Sequence, residues 1–94
     1  MDKDIGWVCI TASQIIHKGP CEIHDMVVEP QGSATGYITI YDGESATEPR
    51  VARIRYSAYE SKFWSPRVPY KLKRGLYIEF SSNVGTVTVQ SRAL

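Results

Sequence analysis

Short runs of apolar residues recur along the whole chain, and glycine, proline, asparagine or aspartate cuts each one off. Leu76, Ile78 and Phe80 alternate with Tyr77, Glu79 and Ser81. This period of two sends one set to a core and the other to solvent, as a half-buried strand requires. Gly36 to Tyr41 (GYITIY) is dense in β-branched and aromatic residues and runs into the turn signal Asp42-Gly43. Val51 to Tyr56 alternates, with Arg53 and Arg55 on one face and Ala52 and Ile54 on the other. Further runs read as strands at Gly6 to Thr11, Ser13 to Lys18, Cys21 to Glu29, Lys62 to Trp64, Val68 to Leu72 and Val84 to Gln90. Between them fall Gly19-Pro20, Pro30-Gln31-Gly32, Lys73-Arg74-Gly75 and Ser82-Asn83, residues that suit turns. Pro66 and Pro69 push their stretch to a sheet edge or a loop, because proline cannot donate to a ladder.

No segment shows a helical period. About seven or eight short strands spaced about ten residues apart predict an all-β fold. The form expected is a compact antiparallel β-sandwich of jelly-roll type. Leu76, Ile78, Phe80, Val87 and Val89 are its expected core, with Cys21, Ile23 and either Val27 or Val28 facing inward from the third run.

Length and composition then narrow the picture. A chain of 94 residues makes one domain, 1–94, and a domain of this size buries roughly 60 to 65% of its unfolded surface, so a subunit interface would add usefully to its stability. The first residues, MDKDIGWVCITAS, hold two acids and no apolar run long enough for a secretion signal or a membrane span. Synthesis in a cytoplasm and a soluble product are the expectation. Cys9 and Cys21 are too few for a disulfide framework and read as reduced core residues.

Candidate chemistry is thin. His17, Cys21 and His24, with Cys9 as a fourth donor, are the residue types that bind zinc. Cys21 and His24 lie three apart in a period-two element, however, and so face opposite ways, and no metal or cofactor site is expected. His24-Asp25 could open a catalytic pair, but adjacent strand residues point apart and no nucleophile elbow of the G-x-S-x-G kind is present. The expectation is a protein without enzymatic activity.

Charge changes the picture more. Net charge is only +1, yet residues 1–49 carry two lysines against eight acids, a net of −6, and residues 50–74 carry eight basic residues against Glu60 alone, a net of +7. Three arrangements could hold such halves: neutralisation between neighbouring strands, contact between subunits, or a polyanion on the basic half. Tyr56, Tyr59, Phe63, Trp64 and Tyr70 interleave with the cations, a composition suited to single-stranded nucleic acid. No RNP-type strand, G-x-x-G clamp or zinc finger accompanies them, and nucleic acid is not the expected partner. Trp7, Tyr37, Tyr41, Tyr59 and Trp64 could instead stack on sugars, and the alternative to an assembly role is a module binding carbohydrate or single-stranded nucleic acid. The acidic stretch after YDG, Glu44 to Pro49, lacks paired carboxylates at calcium-loop spacing and reads as a connector.

The order ITIYDGESAT, then an alternating strand, then SPRVPYKLKRGLYIEF and finally VGTVTV resembles small all-β proteins encoded among the structural genes of tailed bacteriophages and prophages. The resemblance covers roughly residues 20 to 90 and rests on turn-and-strand signatures. It implies a virion component on the capsid, at the neck or in the tail, and carries over no ligand residues. The expected partners are therefore other virion proteins and further copies of the chain, with a trimer the expected state. Arg53, Arg55, Tyr59, Phe63 and Trp64 are the candidate interface residues.

Overall fold

The computed structural model describes residues 6–30, 35–56, 60–81 and 84–94. Its strands are β1 (Gly6–Ile10), β2 (Gln14–Lys18), β3 (Cys21–Pro30), β4 (Gly36–Tyr41), β5 (Arg50–Tyr56), β6 (Lys62–Trp64), β7 (Tyr70–Leu72), β8 (Gly75–Phe80) and β9 (Val84–Ala93). One sheet runs β1-β9-β3-β6, with β7 also pairing β3, and the other runs β2-β8-β4-β5; every pairing is antiparallel.

This order makes the sandwich a jelly roll. Successive strands alternate between the sheets except at β4 and β5, which form a hairpin, and at β6 and β7, which lie in one sheet. β6 and β7 together fill one position beside β3, pairing with Met26–Val28 and with Cys21–Ile23. The strand count differs from expectation for this reason: nine segments fill eight positions, and the stretch expected from Val68 begins only at Tyr70. The break has two matched halves. On one side Pro66 and Pro69 interrupt the ladder; on the other, β3 carries a bulge between Ile23 and Asp25 in its pairing with β9.

That bulge reverses the parity of β3. Cys21 and Ile23 point inward, and after the extra residue so do Met26 and Val28, all fully buried. Val28 and not Val27 is therefore the core residue. From the facing sheet Ile38, Ile40, Leu76 and Ile78 meet them, and Val87 and Val89 come in from β9. Phe80 departs from expectation: at the end of β8 it is only partly buried and packs on the rim of this cluster. Cys9 is a second correction, since β1 pairs Val8 with inward Val89 and thereby turns Trp7 and Cys9 outward, where Cys9 is exposed. Cys21 stays in the core, and its burial, aided by the Asp42 charge, pushes the thiol up to about 11.

One end of the sandwich is tied by the YDG loop. The Asp42 carboxylate accepts hydrogen bonds from the backbone N–H groups of Lys73 (3.1 Å) and Arg74 (2.8 Å), in the turn between β7 and β8. Gly43 N donates to Gly75 O and Gly19 N to Arg74 O, so three turns distant in sequence are joined. Two glycines are dictated by this closeness. A Cβ on Gly75, whose φ is +153°, would lie 2.7 Å from His17 O and 3.0 Å from Gly43 O. A Cβ on Gly43 would overlap the Glu48 side chain, which folds over it and reaches Arg74 at 3.1 Å. The acidic loop is thus a connector with a structural duty.

Candidate functional site

Strand parity sorts the outward side chains onto two faces. In β4, inward Ile38 and Ile40 leave Tyr37, Thr39 and Tyr41 outward, and β5 sets Arg55 opposite Tyr37, Arg53 opposite Thr39 and Arg50 opposite Tyr41. The Arg53 guanidinium lies 4.4 Å from the Tyr37 ring centroid and its Nε donates to Thr39 Oγ1 at 3.1 Å. Thr39 is consequently fully buried although it faces away from the core. Arg55 sits over the same ring at 5.6 Å. Two cations on one ring are attracted to its electron-rich face and repel one another. No carboxylate among the described residues comes within 4 Å of Arg50, Arg53 or Arg55.

Beside this cluster a recess of about 530 Å³ is lined by Thr35, Gly36, Tyr37, Arg55, Tyr56 and Ser81. Next along the face, Tyr41 and Tyr77 pack with tilted rings, and Tyr41 donates its hydroxyl to Glu79 Oε1 at 3.2 Å. Burial first, and that carboxylate second, raise the Tyr41 phenol above its ordinary range. Glu79 therefore binds a tyrosine and leaves the arginines without a counterion.

The outer face of the other sheet differs. Glu22 is almost wholly covered and pairs with Arg92, whose hydrogen bond holds the Glu22 carboxyl below its ordinary value. His24 Nε2 lies 3.7 Å from the same carboxylate. Farther along β3, Asp25, Val27 and Glu29 point outward, and Glu29 accepts a hydrogen bond from the Thr86 hydroxyl at 3.0 Å. Trp7 and Phe63 flank this strip from the two edge strands and are 56% and 73% exposed.

The expected interface residues do not share one surface. Arg53 and Arg55 lie on the outer face of the β2-β8-β4-β5 sheet, Phe63 on the outer face of the other sheet, and Trp64 turns inward opposite Met26, its ring 6.0 Å from that of Tyr70. Tyr59 lies outside the described residues. The sugar-stacking candidates are likewise dispersed: Trp7 and Tyr37 are on opposite faces, Tyr41 is nearly buried and Trp64 belongs to the core rim.

The zinc candidates also separate. Cys21 is in the core, Cys9 points outward from β1, and His24 lies on the outer face. His17 faces inward and its Nε2 bonds Ser91 Oγ at 2.9 Å across the two sheets. Among the described residues no group of three or more His, Cys, Asp or Glu side chains could hold a metal ion. The bulge in β3 does alter one expectation: inward Ile23 and Met26 bracket His24 and Asp25, so both turn to the outer face where simple alternation would separate them. No described helix is long and apolar enough to cross a membrane.

Outward Tyr37 and Glu29 lie outside the expected interface set; alternation through GYITIY sets Tyr37 opposite in face to Ile38 and Ile40, and the β4–β5 pairing then puts it beside Arg53 and Arg55. Their importance depends on cross-strand register, which relates β4 to β5 and β3 to β9. The class defined by this architecture is a small jelly-roll sandwich with one arginine-tyrosine face and one face on which Asp25, Val27 and Glu29 lie beside the Glu22–Arg92 pair and Lys71. No family model matches the chain, and no curated protein or solved structure matches it either.

Proposed function

We propose that the chain is a non-enzymatic structural protein of a bacteriophage particle, acting through its outer faces as a capsid-, neck- or tail-associated accessory. The observation that carries this reading is the jelly-roll strand order, an architecture used by viral capsid domains. Lectins use it too, so the surfaces must rank the two. Dispersed aromatic rings favour protein contact over sugar stacking, and Arg50, Arg53 and Arg55 without internal carboxylates favour an acidic partner. The charge segregation in the sequence has the same sense: among the described residues of the basic segment, only Arg74 forms an ion pair within the chain, with Glu48.

The test is to purify particles from a strain whose genome encodes the chain and to locate it in them by electron microscopy with a labelled copy. Label at a fixed position in the particle is the expected result. Its absence from purified particles, while the protein is abundant in the cell, overturns the reading. A second reading, binding of a single-stranded polyanion in the recess beside Arg55, is favoured by the unpaired arginines alone. It predicts salt-sensitive binding of single-stranded DNA that is lost in an Arg53→Glu/Arg55→Glu variant.

A further inference from the structure

The outer face of the first sheet carries a row in cross-strand register: Phe63 opposite Val27, Val27 opposite Thr88, and Thr88 opposite Cys9. Trp7 lies one outward position along β1, so exposed rings stand at both edges of the row. Asp25 and Glu29 flank Val27 along β3, and neither has a cation within 4 Å among the described residues. The opposite face is its complement in charge: Arg53 and Arg55 lie over Tyr37 and Arg50 stands opposite Tyr41, none with a carboxylate within 4 Å among the described residues, and the Glu79 carboxylate on that face accepts the Tyr41 hydroxyl. Two large exposed rings bracketing a half-buried row, with carboxylates beside it, mark a surface suited to a protein partner.

We propose that these two faces are the halves of one contact between copies of this chain. The arginine-tyrosine face of one copy seats on the Phe63–Val27 row of the next, with Arg53 and Arg55 meeting Asp25 and Glu29. This rests on the assembly reading above and names the partner surface. A second copy is the occupant chosen by complementarity, because the chain itself holds both the unpaired cations and the unpaired carboxylates. The 41 × 25 Å outline of the molecule is large enough for the roughly 800 Å² per partner that a stable interface buries.

The geometry also bears on closure. The contact is heterologous, since different surfaces meet, and heterologous contacts form rings or open filaments according to whether the rotation closes. A ring of three needs its two contact surfaces steeply inclined to each other. The two outer faces of a sandwich look in nearly opposite directions, so copies joined through them form a wide ring or a stack and not the trimer expected from sequence.

Sedimentation velocity decides this on the whole chain, with near-ultraviolet circular dichroism confirming that each variant is folded. The wild type is expected to form species larger than three copies that dissociate as salt rises. Arg53→Glu/Arg55→Glu and Asp25→Lys/Glu29→Lys should each weaken self-association by at least about tenfold. An equimolar mixture of the two variants should associate again, and so should the variant carrying all four changes. Phe63→Ser, which leaves every charge in place, should weaken association at all salt concentrations.

A wild-type trimer indifferent to Asp25→Lys/Glu29→Lys would overturn this contact and leave the assembly reading intact. Loss of association in both double variants without rescue on mixing also overturns it. So does a wild type that stays monomeric at all concentrations; the assembly reading then stands or falls separately on whether the protein is found in purified particles.

Discussion

His17 faces the interior as a neutral ring bonded to Ser91, and burial holds its pKa below the ordinary 6.5. As pH falls through 6.5 the unfolded chain takes up this proton before the folded one does. The contribution of His17 to stability is therefore complete above 6.5 and is lost as pH falls towards the lower folded value. Thermal melts from pH 7.5 to pH 5 should show a decline in Tm that is shallower in His17→Gln. An unchanged slope would show that the ring is not held neutral. Depth decides the second comparison. Ile78 is fully buried, and Ile78→Ala should cost about 3–4 kcal/mol, whereas Phe80 at the rim should cost about 2 kcal/mol when cut to alanine. Urea denaturation of the two variants checks the order, and equal losses would contradict the rim position of Phe80. Alternation in the sequence shows which face of β8 is inner; where along the strand the core ends depends on the facing sheet and is not written locally.

Among the elements, β8 and the β4–β5 hairpin are legible from the sequence, because their period of two is strong and Asp42-Gly43 breaks the chain between them. β3 is legible only in part. Its bulge between Ile23 and Asp25 carries no residue signal, and without it Met26 and Val28 would face solvent. The interruption between β6 and β7 is announced by Pro66 and Pro69, but the opposing bulge shows only in the paired structure. The candidate site suffers most from this limit. Arg53 and Arg55 can be put on one face of a strand from the sequence, yet Phe63 falls on the opposite side of the sandwich because its strand belongs to the other sheet. For the end tie, Asp42→Ala removes the acceptor for Lys73 N and Arg74 N and should cost about 1–2 kcal/mol. Chemical denaturation measures that loss, and a change below a few tenths would mean water replaces the carboxylate without penalty.

At the scale of the whole molecule, the jelly-roll order brings the two segments of opposite charge into one fold with a single ion pair between them among the described residues, Glu48 with Arg74. Acids on β3 and arginines on β5 occupy outer faces of different sheets, with the core between them. Their separation is what makes the charge split of the sequence available to a neighbour. The same topology sets a timetable for folding. Among the described residues β1 pairs only with β9, which is synthesised more than seventy residues later. Loop closure over that distance carries an entropic cost before any contact repays it, and topologies of this kind fold in milliseconds to seconds. Until β9 arrives, the uncharged edge segment GWVCI has both backbone rims open and Trp7 and Val8 in water. The interval before the final strand docks is thus when the chain is most apt to pair with the wrong copy, and refolding yield should fall as protein concentration rises, even where the finished fold is stable.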